Sequence, residues 1–322
     1  MSRDESPFVR PTSPDEGYTW LHRAFLQAFQ THGVMTLYEL KPILAEITSA
    51  HNPDRPWTEG DVTQPYITST IQTINAKIEP YDFEIRSIKD QHTKELTYAF
   101  VNKTSDSLTQ LATKFSASEI AYIRRVLDRM FETNNTPTRP VMALKHTEAS
   151  QLARSRRNRQ SQLNGNADDA EASQAADPGI SIQEADDVLD ALVSEAFFQR
   201  SRAGYYSLAP RAIMELGAYL KETYNEAAED AEDGIETIRI HDCEGCRELV
   251  THGIRCNNSE CGVRWHDNCA NSYYMGRSRE QKKCPKCDTQ CSGNLFVGER
   301  AVNGARPSGR GYTQSRRDDE DE

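Results

Sequence analysis

Apolar side chains recur every three to four residues near the start of the chain. Leu21, Phe25, Leu26 and Phe29 fall on one helical face, and Gly33 breaks the run just after His32. Residues 34–47 read as a second helix carrying Leu37, Leu40, Leu44 and Ile47. Pro42 lies early in it, where a first turn tolerates the missing N–H. Residues 51–57 hold two prolines and read as a loop. Tyr66, Ile67, Ile71, Ile74 and Ile78 form a third apolar stripe. Beyond it the pattern becomes β-like: residues 83–88 and 95–101 flank the polar turn 89–94 and predict a hairpin.

Three helices and a hairpin is the element order of a winged helix, and the order comes twice. Ser116 and Glu119 spell a capping box, with Phe115 placed to staple onto Ile120. Ile120, Ile123, Leu127 and Met130 continue that face, and Pro137 and Pro140 end the segment. Residues 141–152 predict a short helix. A second box, Ser181 with Glu184, opens a helix holding Ile182, Val188, Leu189, Leu192 and Val193. Residues 197–208 predict a wing around 202–204, and a last helix from about residue 210 carries Ile213, Leu216, Leu220 and Tyr224. The expected fold class is α+β and multidomain: two tandem winged-helix domains ahead of a cysteine-rich domain. Two α/β bundles without a common design are the alternative.

The expected bounds are 18–105 and 113–225 for the winged-helix domains, 226–238 for an acidic linker and 239–297 for the cysteine-rich domain. Residues 153–179, inside the second domain, are polar and expected to be disordered, as are the tails 1–17 and 298–322. The insertion begins with Arg154, Arg156, Arg157 and Arg159, which read as a solvated charge run rather than a nuclear-import or nucleic-acid signal. Hydrophobic residues make up 37% of the 322, enough for cores diluted by such segments. No stretch approaches the ~18 apolar residues of a membrane helix, and the polar start lacks the apolar run of a secretory signal. A net charge of −11 argues against wholesale wrapping of nucleic acid. The second unit's expected recognition helix carries Glu184, Asp186, Asp187, Asp190 and Glu195 with no Lys or Arg, and the first unit's offers only Lys77. Strong direct DNA binding is therefore not expected; protein docking is.

All 8 cysteines lie between Cys243 and Cys291. An even count also fits a disulfide framework, but the cysteine-free remainder and the absent secretory signal favour a metal site in a reducing compartment. The candidate ligands in order are Cys243, Cys246, Cys256, Cys261, His266, Cys269, Cys284 and Cys287. Closely spaced pairs such as Cys243/Cys246 and Cys284/Cys287 let one short turn supply half of a tetrahedral Zn²⁺ site. Four pairs make two closed sites, so the zinc would be structural. Cys291 is left over as a free thiol, a substitute ligand being the minor alternative. His241 and His252 read as surface or turn residues, and Trp265 as packing for the zinc core.

Four pairs with a His in fifth place resemble the RING and PHD finger families, whose ligands interleave in a cross-brace. The resemblance implies one zinc on Cys243, Cys246, His266 and Cys269 and a second on Cys256, Cys261, Cys284 and Cys287. PHD fingers usually carry a Trp two residues before the seventh ligand; Lys282 stands there, which disfavours a histone-tail reader. Cys284-Pro285-Lys286-Cys287 resembles the closing pair of a RING. RING ligases often have an aliphatic residue between the first two cysteines, where this chain has Glu244 and Gly245. Many have a basic residue soon after the last ligand, where this chain has Asp288. The four-residue gap between Cys256 and Cys261 also exceeds the usual two.

The combination narrows the resemblance further. Residues 21–27 running into Thr31-His32-Gly33-Val34, then Ile74-Asn75 with Ile78, Phe83-Glu84-Ile85, Tyr98-Ala99-Phe100-Val101-Asn102 and Tyr219-Leu220 with Glu222-Thr223-Tyr224 resemble the non-SMC element one family. These are RING-variant subunits of the SMC five–six chromosome-maintenance complex. The likeness spans residues 18–290 apart from the insertion. It implies nuclear, chromatin-associated work in DNA repair and recombination, with a MAGE-family subunit and, through it, a kleisin subunit as partners. It implies ubiquitin ligase activity expressed chiefly with the MAGE subunit bound, a ubiquitin-conjugating enzyme as partner, and two Zn²⁺ ions. No catalytic residue is expected, because a RING ligase acts by positioning the charged conjugating enzyme. The candidate contact surface for that enzyme is Glu244, Gly245 and Pro285. A non-catalytic subunit whose zinc domain stabilises the complex, and a PHD-like chromatin reader, are the other classes.

Overall fold

The computed structural model describes residues 17–103, 114–154, 179–227 and 236–303. Residues 1–16 and 304–322, most of the expected insertion and the middle of the acidic linker lie outside the described residues. Two compact units form: one built on residues up to 103 with 194–197 and 209–216, the other on the remaining described residues.

In the first unit, α1 (Trp20–His32) stops at Gly33, whose φ of 69° suits glycine and whose N–H closes the last turn on Phe29 O at 2.8 Å. The next element is not the expected helix. Residues Val34–Thr36 form strand β1, and α2 (Leu37–His51) starts after it. Thr36 explains the shift. Its Oγ1 accepts the Glu39 N–H at 3.3 Å while Glu39 Oε2 accepts the Thr36 N–H at 2.8 Å, a capping box that needs Thr36 extended. Pro42 consequently lies inside α2 rather than in its first turn. The carbonyl deprived of a partner belongs to Tyr38, which is 82% exposed and open to water. α3 (Gln64–Ile78) buries Ile67, Ile71, Ile74 and Ile78. The hairpin is β2 (Phe83–Lys89) and β3 (Leu96–Asn102), and the antiparallel sheet has the order β1-β3-β2. Its core centres on Phe25 and Phe29, edge-on at 5.1 Å, with Leu40, Leu44, Ile67 and Ile74. Asn75 fastens α3 to β2 by accepting the Ile85 N–H and donating to the Ile85 carbonyl, at 2.8 and 2.9 Å.

The same order of elements returns later in the chain. α4 (Ala117–Asp128) continues into a π-helical turn, Arg129–Thr133. Then come β4 (Leu144–Lys145), α5 (His146–Gln151), α6 (Ile182–Ser194), β5 (Phe198–Arg200), β6 (Tyr205–Leu208) and α7 (Pro210–Tyr224). The sheet order β4-β6-β5 matches that of the first sheet. The expected helix over 141–152 is instead an extended lead-in, a strand and a short helix. Met142 at φ 45° cannot continue a helix, and Glu148 Oε2 caps α5 from the Lys145 N–H at 3.1 Å. Ile182, read as apolar face, is 54% exposed because it opens α6. Ala153, placed in the disordered insertion, is fully buried, and its carbonyl accepts the Ile180 N–H at 2.9 Å.

The cysteine-rich segment has β7 (Gly253–Arg255), β8 (Arg264–Trp265), α8 (Asp267–Tyr274) and β9 (Phe296–Val297), in sheet order β8-β7-β9. The expected disordered tail starts too early: Glu299–Asn303 form a 3-10 turn. Gly298 N–H donates to Pro140 O at 2.9 Å, Arg139 donates to the carbonyls of Ala301 and Val302 at 3.2 and 2.7 Å, and Ala301 packs on Val141 and Ala143. Those partners lie some 160 residues earlier, beyond the reach of any local pattern.

Candidate metal centre

Two short knuckles present the outer cysteine pairs, and they are built alike. The Cys243 carbonyl accepts the Arg247 N–H at 2.9 Å, and the Cys284 carbonyl accepts the Asp288 N–H at 3.1 Å. In each, the residue after the second cysteine is left-handed, Arg247 at φ 64° and Asp288 at φ 53°. Asp tolerates that backbone better than most side chains. Asp288 thus has a local conformational reason to stand where RING ligases often carry a base.

The knuckles meet other pairs to make two clusters. Cys243, Cys246, His266 and Cys269 bring one donor atom each within 4.8 Å of one another, and so do Cys256, Cys261, Cys284 and Cys287. The two sets interleave along the chain. Sulfurs of Cys256 and Cys287 are 3.5 Å apart, those of Cys261 and Cys284 3.7 Å. A tetrahedron with Zn–S near ~2.3 Å has edges of roughly 3.8 Å, so four thiolates at this spacing fit one ion. His266 aims Nδ1 at the first cluster, 3.2 Å from Cys246 Sγ, and sets Nε2 3.1 Å from the Leu249 carbonyl. Donation from Nε2 leaves Nδ1 as the ligand atom, the arrangement that orients metal-bound imidazoles.

The thiols disturb one another as a metal site requires. Burial works against the Cys243 thiolate, yet the His266 ring, with the N–H groups of His266, Cys246 and Gly245, holds it down to about 6. Burial and then the Cys243 charge push Cys269 up to about 12. In the second cluster, the hydroxyl and N–H of Thr289 draw Cys287 down to about 6, while burial pushes Cys261 up to about 11. In each cluster one thiol is drawn down and another pushed up, and a soft divalent cation bound there would stabilise the thiolate form of both.

Other expected site residues are distributed differently. Gly245 and Pro285 are exposed. A Cβ at Gly245 would come within 2.9 Å of Cys269 Cβ and 3.3 Å of the Trp265 ring, so the aliphatic residue of typical ligases has no room there. Glu244 is drawn inward. Its carboxylate meets Lys286 Nζ at 2.6 Å and Arg247 Nη1 at 3.3 Å, and its side chain is only 12% exposed. The Glu244–Lys286 pair ties one knuckle to the other. Trp265 packs the first cluster, stacked on Tyr273 at 4.6 Å. Cys291 joins neither cluster; its Sγ lies 3.6 Å from Thr289 O.

His241 and His252 are not surface residues. Gly262 closes over the His241 ring, and burial, then the Arg264 charge, holds His241 down to about 4. The His252 side chain is 13% exposed, its Nε2 3.8 Å from Asp267 Oδ2. Two arginines escaped the sequence reading. Arg300, in the expected tail, grips both Asp267 oxygens at 2.8 and 3.0 Å and so holds the start of α8, which carries Cys269. Arg264 is 5% exposed, and burial, then the Arg255 charge, lowers it to about 9. Only its place between Cys261 and His266 could have marked it.

Comparison with known proteins fits this arrangement. Residues 243–287 match a RING-like domain. The human non-structural maintenance of chromosomes element 1 homolog is 25% identical over 270 residues, 84% of this chain and 83% of the relative. The Xenopus laevis homolog is 21% identical over 83% of this chain and 81% of its own, and the Schizosaccharomyces pombe protein 20% identical over 72% and 80%. A chain of a solved structure described as the Nse1-Nse3-Nse4 complex, 20% identical, covers 85% of this chain and 97% of itself with a TM-score of 0.61, which shows a shared fold. Residues 22–216 match the family model for Nse1, the non-SMC component of the SMC5-6 complex. That span exceeds half of the 322 residues, and the chain belongs to the Nse1 family.

Proposed function

We propose that the protein is a RING-type ubiquitin ligase subunit of an SMC5-6 complex, acting in the nucleus in DNA repair and recombination. The observation that carries this is the interleaving of two four-donor clusters: ligands one, two, five and six in one, three, four, seven and eight in the other. In this reading Cys243, Cys246, His266 and Cys269 hold one Zn²⁺ and Cys256, Cys261, Cys284 and Cys287 a second. Zinc supplies folding energy and fixes the knuckles. No side chain acts as nucleophile. Exposed Gly245 and Pro285 flank the surface that would hold a charged conjugating enzyme and favour attack on its thioester. The family and the name of the structurally similar assembly support Nse3, a MAGE protein, and Nse4, a kleisin, as partners.

We further infer that the two helix–strand–helix–helix–hairpin repeats are winged helices used for protein contact. Matching sheet orders support the first point. Glu184, Asp186, Asp187 and Asp190 on α6, without a base, support the second. One observation favours a non-catalytic subunit instead: Glu244 is committed to Lys286 and Arg247 rather than free for a partner.

Ubiquitin discharge from a charged conjugating enzyme separates the two. The chain would be assayed alone, with the MAGE-family partner, and as Cys284→Ser. Discharge that needs both the partner and Cys284 is expected. An intact complex with no discharge across a panel of conjugating enzymes would leave the zinc domain a structural role.

A further inference from the structure

A chain of net charge −11 gathers three arginines in one cavity of about 390 Å³. The cavity lies within the second unit, between the loop after α4, residues 236–239 and the β7–β8 segment. Arg264 sits in its wall. The residue is 5% exposed, and among the described residues the one hydrogen-bond acceptor of its guanidinium is Met142 Sδ, 4.0 Å from Nη1. A thioether is a weak acceptor. No carboxylate pairs with Arg264 among the described residues. Arg255 spends its amino groups on neutral carbonyls, Cys256 O at 2.9 Å and Thr138 O at 2.8 Å. Arg239 completes the set. Two acids, Glu236 and Glu260, stay on the exposed rim.

Burying a guanidinium without an anion is costly, and nothing in the described chain offsets that cost here. A second wall group is also unmet. Asn135 Oδ1 is buried with no donor among the described residues, its Nδ2 already given to Phe131 O and Arg239 O. Ile238, 47% exposed, supplies an apolar patch at the mouth.

We propose that this cavity docks an acidic peptide segment of a partner, with one Asp or Glu carboxylate seated on the Arg264 guanidinium and Arg239 and Arg255 holding the charge in place. A planar carboxylate matches the guanidinium fork with two parallel hydrogen bonds. A peptide supplies what a free oxyanion lacks: an N–H for Asn135 Oδ1 and an apolar side chain for Ile238. The site is independent of ubiquitin transfer, and so is its test.

Fluorescence anisotropy of the full zinc-loaded chain would use a labelled, end-blocked peptide of alternating Glu and Leu, and its Gln counterpart. The Glu peptide is expected to bind, more weakly as salt rises, and the Gln peptide not to bind. Arg264→Met should weaken binding by about thirty-fold or more. Its zinc content should hold and its Tm stay level or rise, because an unpaired buried cation has been replaced by an apolar side chain. A merely structural arginine would instead lower the Tm. Should that variant fail to fold, Arg239→Ala tests the same pocket from its half-buried edge, with a loss of roughly several-fold expected. Equal binding of the two peptides, or affinity unchanged in the folded variants, overturns the proposal. Displacement of the peptide by inorganic phosphate at matching concentration overturns it too, in favour of a free oxyanion.

Discussion

Gly253 and Gly276 are glycines for opposite reasons. At Gly253 the backbone is ordinary, but β7 runs so close to β8 that a Cβ would collide with the Trp265 carbonyl. Gly276 has open space around it and a φ of 73°. Gly253→Ala should therefore cost about 3 kcal/mol or more, since backbone on both sides must move. Gly276→Ala should cost about 1–2 kcal/mol, the strain of a left-handed alanine. Urea titration followed by Trp fluorescence would check both, and the reverse order would contradict the packing at Trp265. His266 offers a second test at this scale. Its Nδ1 faces three thiols and its Nε2 is fixed on Leu249 O. His266→Ala should lower bound zinc from about two ions to about one per chain, by metal analysis, if two closed sites form. Loss of both ions would mean the clusters load as one unit.

At the scale of elements, one device recurs. Glu39, Glu119, Glu148 and Glu184 each accept the N–H of the residue three before, at 2.8, 2.7, 3.1 and 2.7 Å, and so set where α2, α4, α5 and α6 begin. Thr36→Ala removes the hydroxyl half of one such cap and should cost about 1 kcal/mol, read from the shift in denaturation midpoint. A neutral result would mean β1, not the cap, positions α2. The boxes at Ser116 and Ser181 were legible in the sequence. The one at Thr36 was spelled in the same letters yet masked, because Val34, Met35 and Leu37 continue an apolar run. A three-residue strand has no periodicity to read; β1 exists because β3 pairs with it, Val34 opposite Ala99. The clustering of the eight candidate donors was legible because each pair is local and its chemistry is carried by residue type. Arg264 was not, since its neighbour Met142 is 122 residues away.

On the scale of the molecule, the cysteine-rich segment and most of the later repeat share one compact unit, and several of their contacts are to backbone carbonyls. Asn135 donates to Arg239 O at 2.8 Å, Arg255 to Thr138 O at 2.8 Å, and Arg139 to Val302 O at 2.7 Å. Lys221 adds an ion pair with Asp242 at 2.7 Å, beside Cys243. Such contacts hold only while both sides keep their backbone shape. A structural zinc contributes roughly 10–16 kcal/mol in small finger peptides, comparable with the ~5–15 kcal/mol net stability of a whole domain. Withdrawing zinc should thus unfold the cysteine-rich segment and loosen what it holds, including the loop at 134–143 and β4. The β1–β3 sheet has its own core, made of residues between Leu21 and Tyr98. Hydrogen exchange before and after chelation would show the pattern. Amides at Val141, Leu144 and Tyr206 should lose protection along with those of β7 and β8, while the β2–β3 hairpin keeps its own. Loss confined to residues 239–303 would mean that the later repeat stands without the metal domain, and that the carbonyl contacts join two bodies already folded.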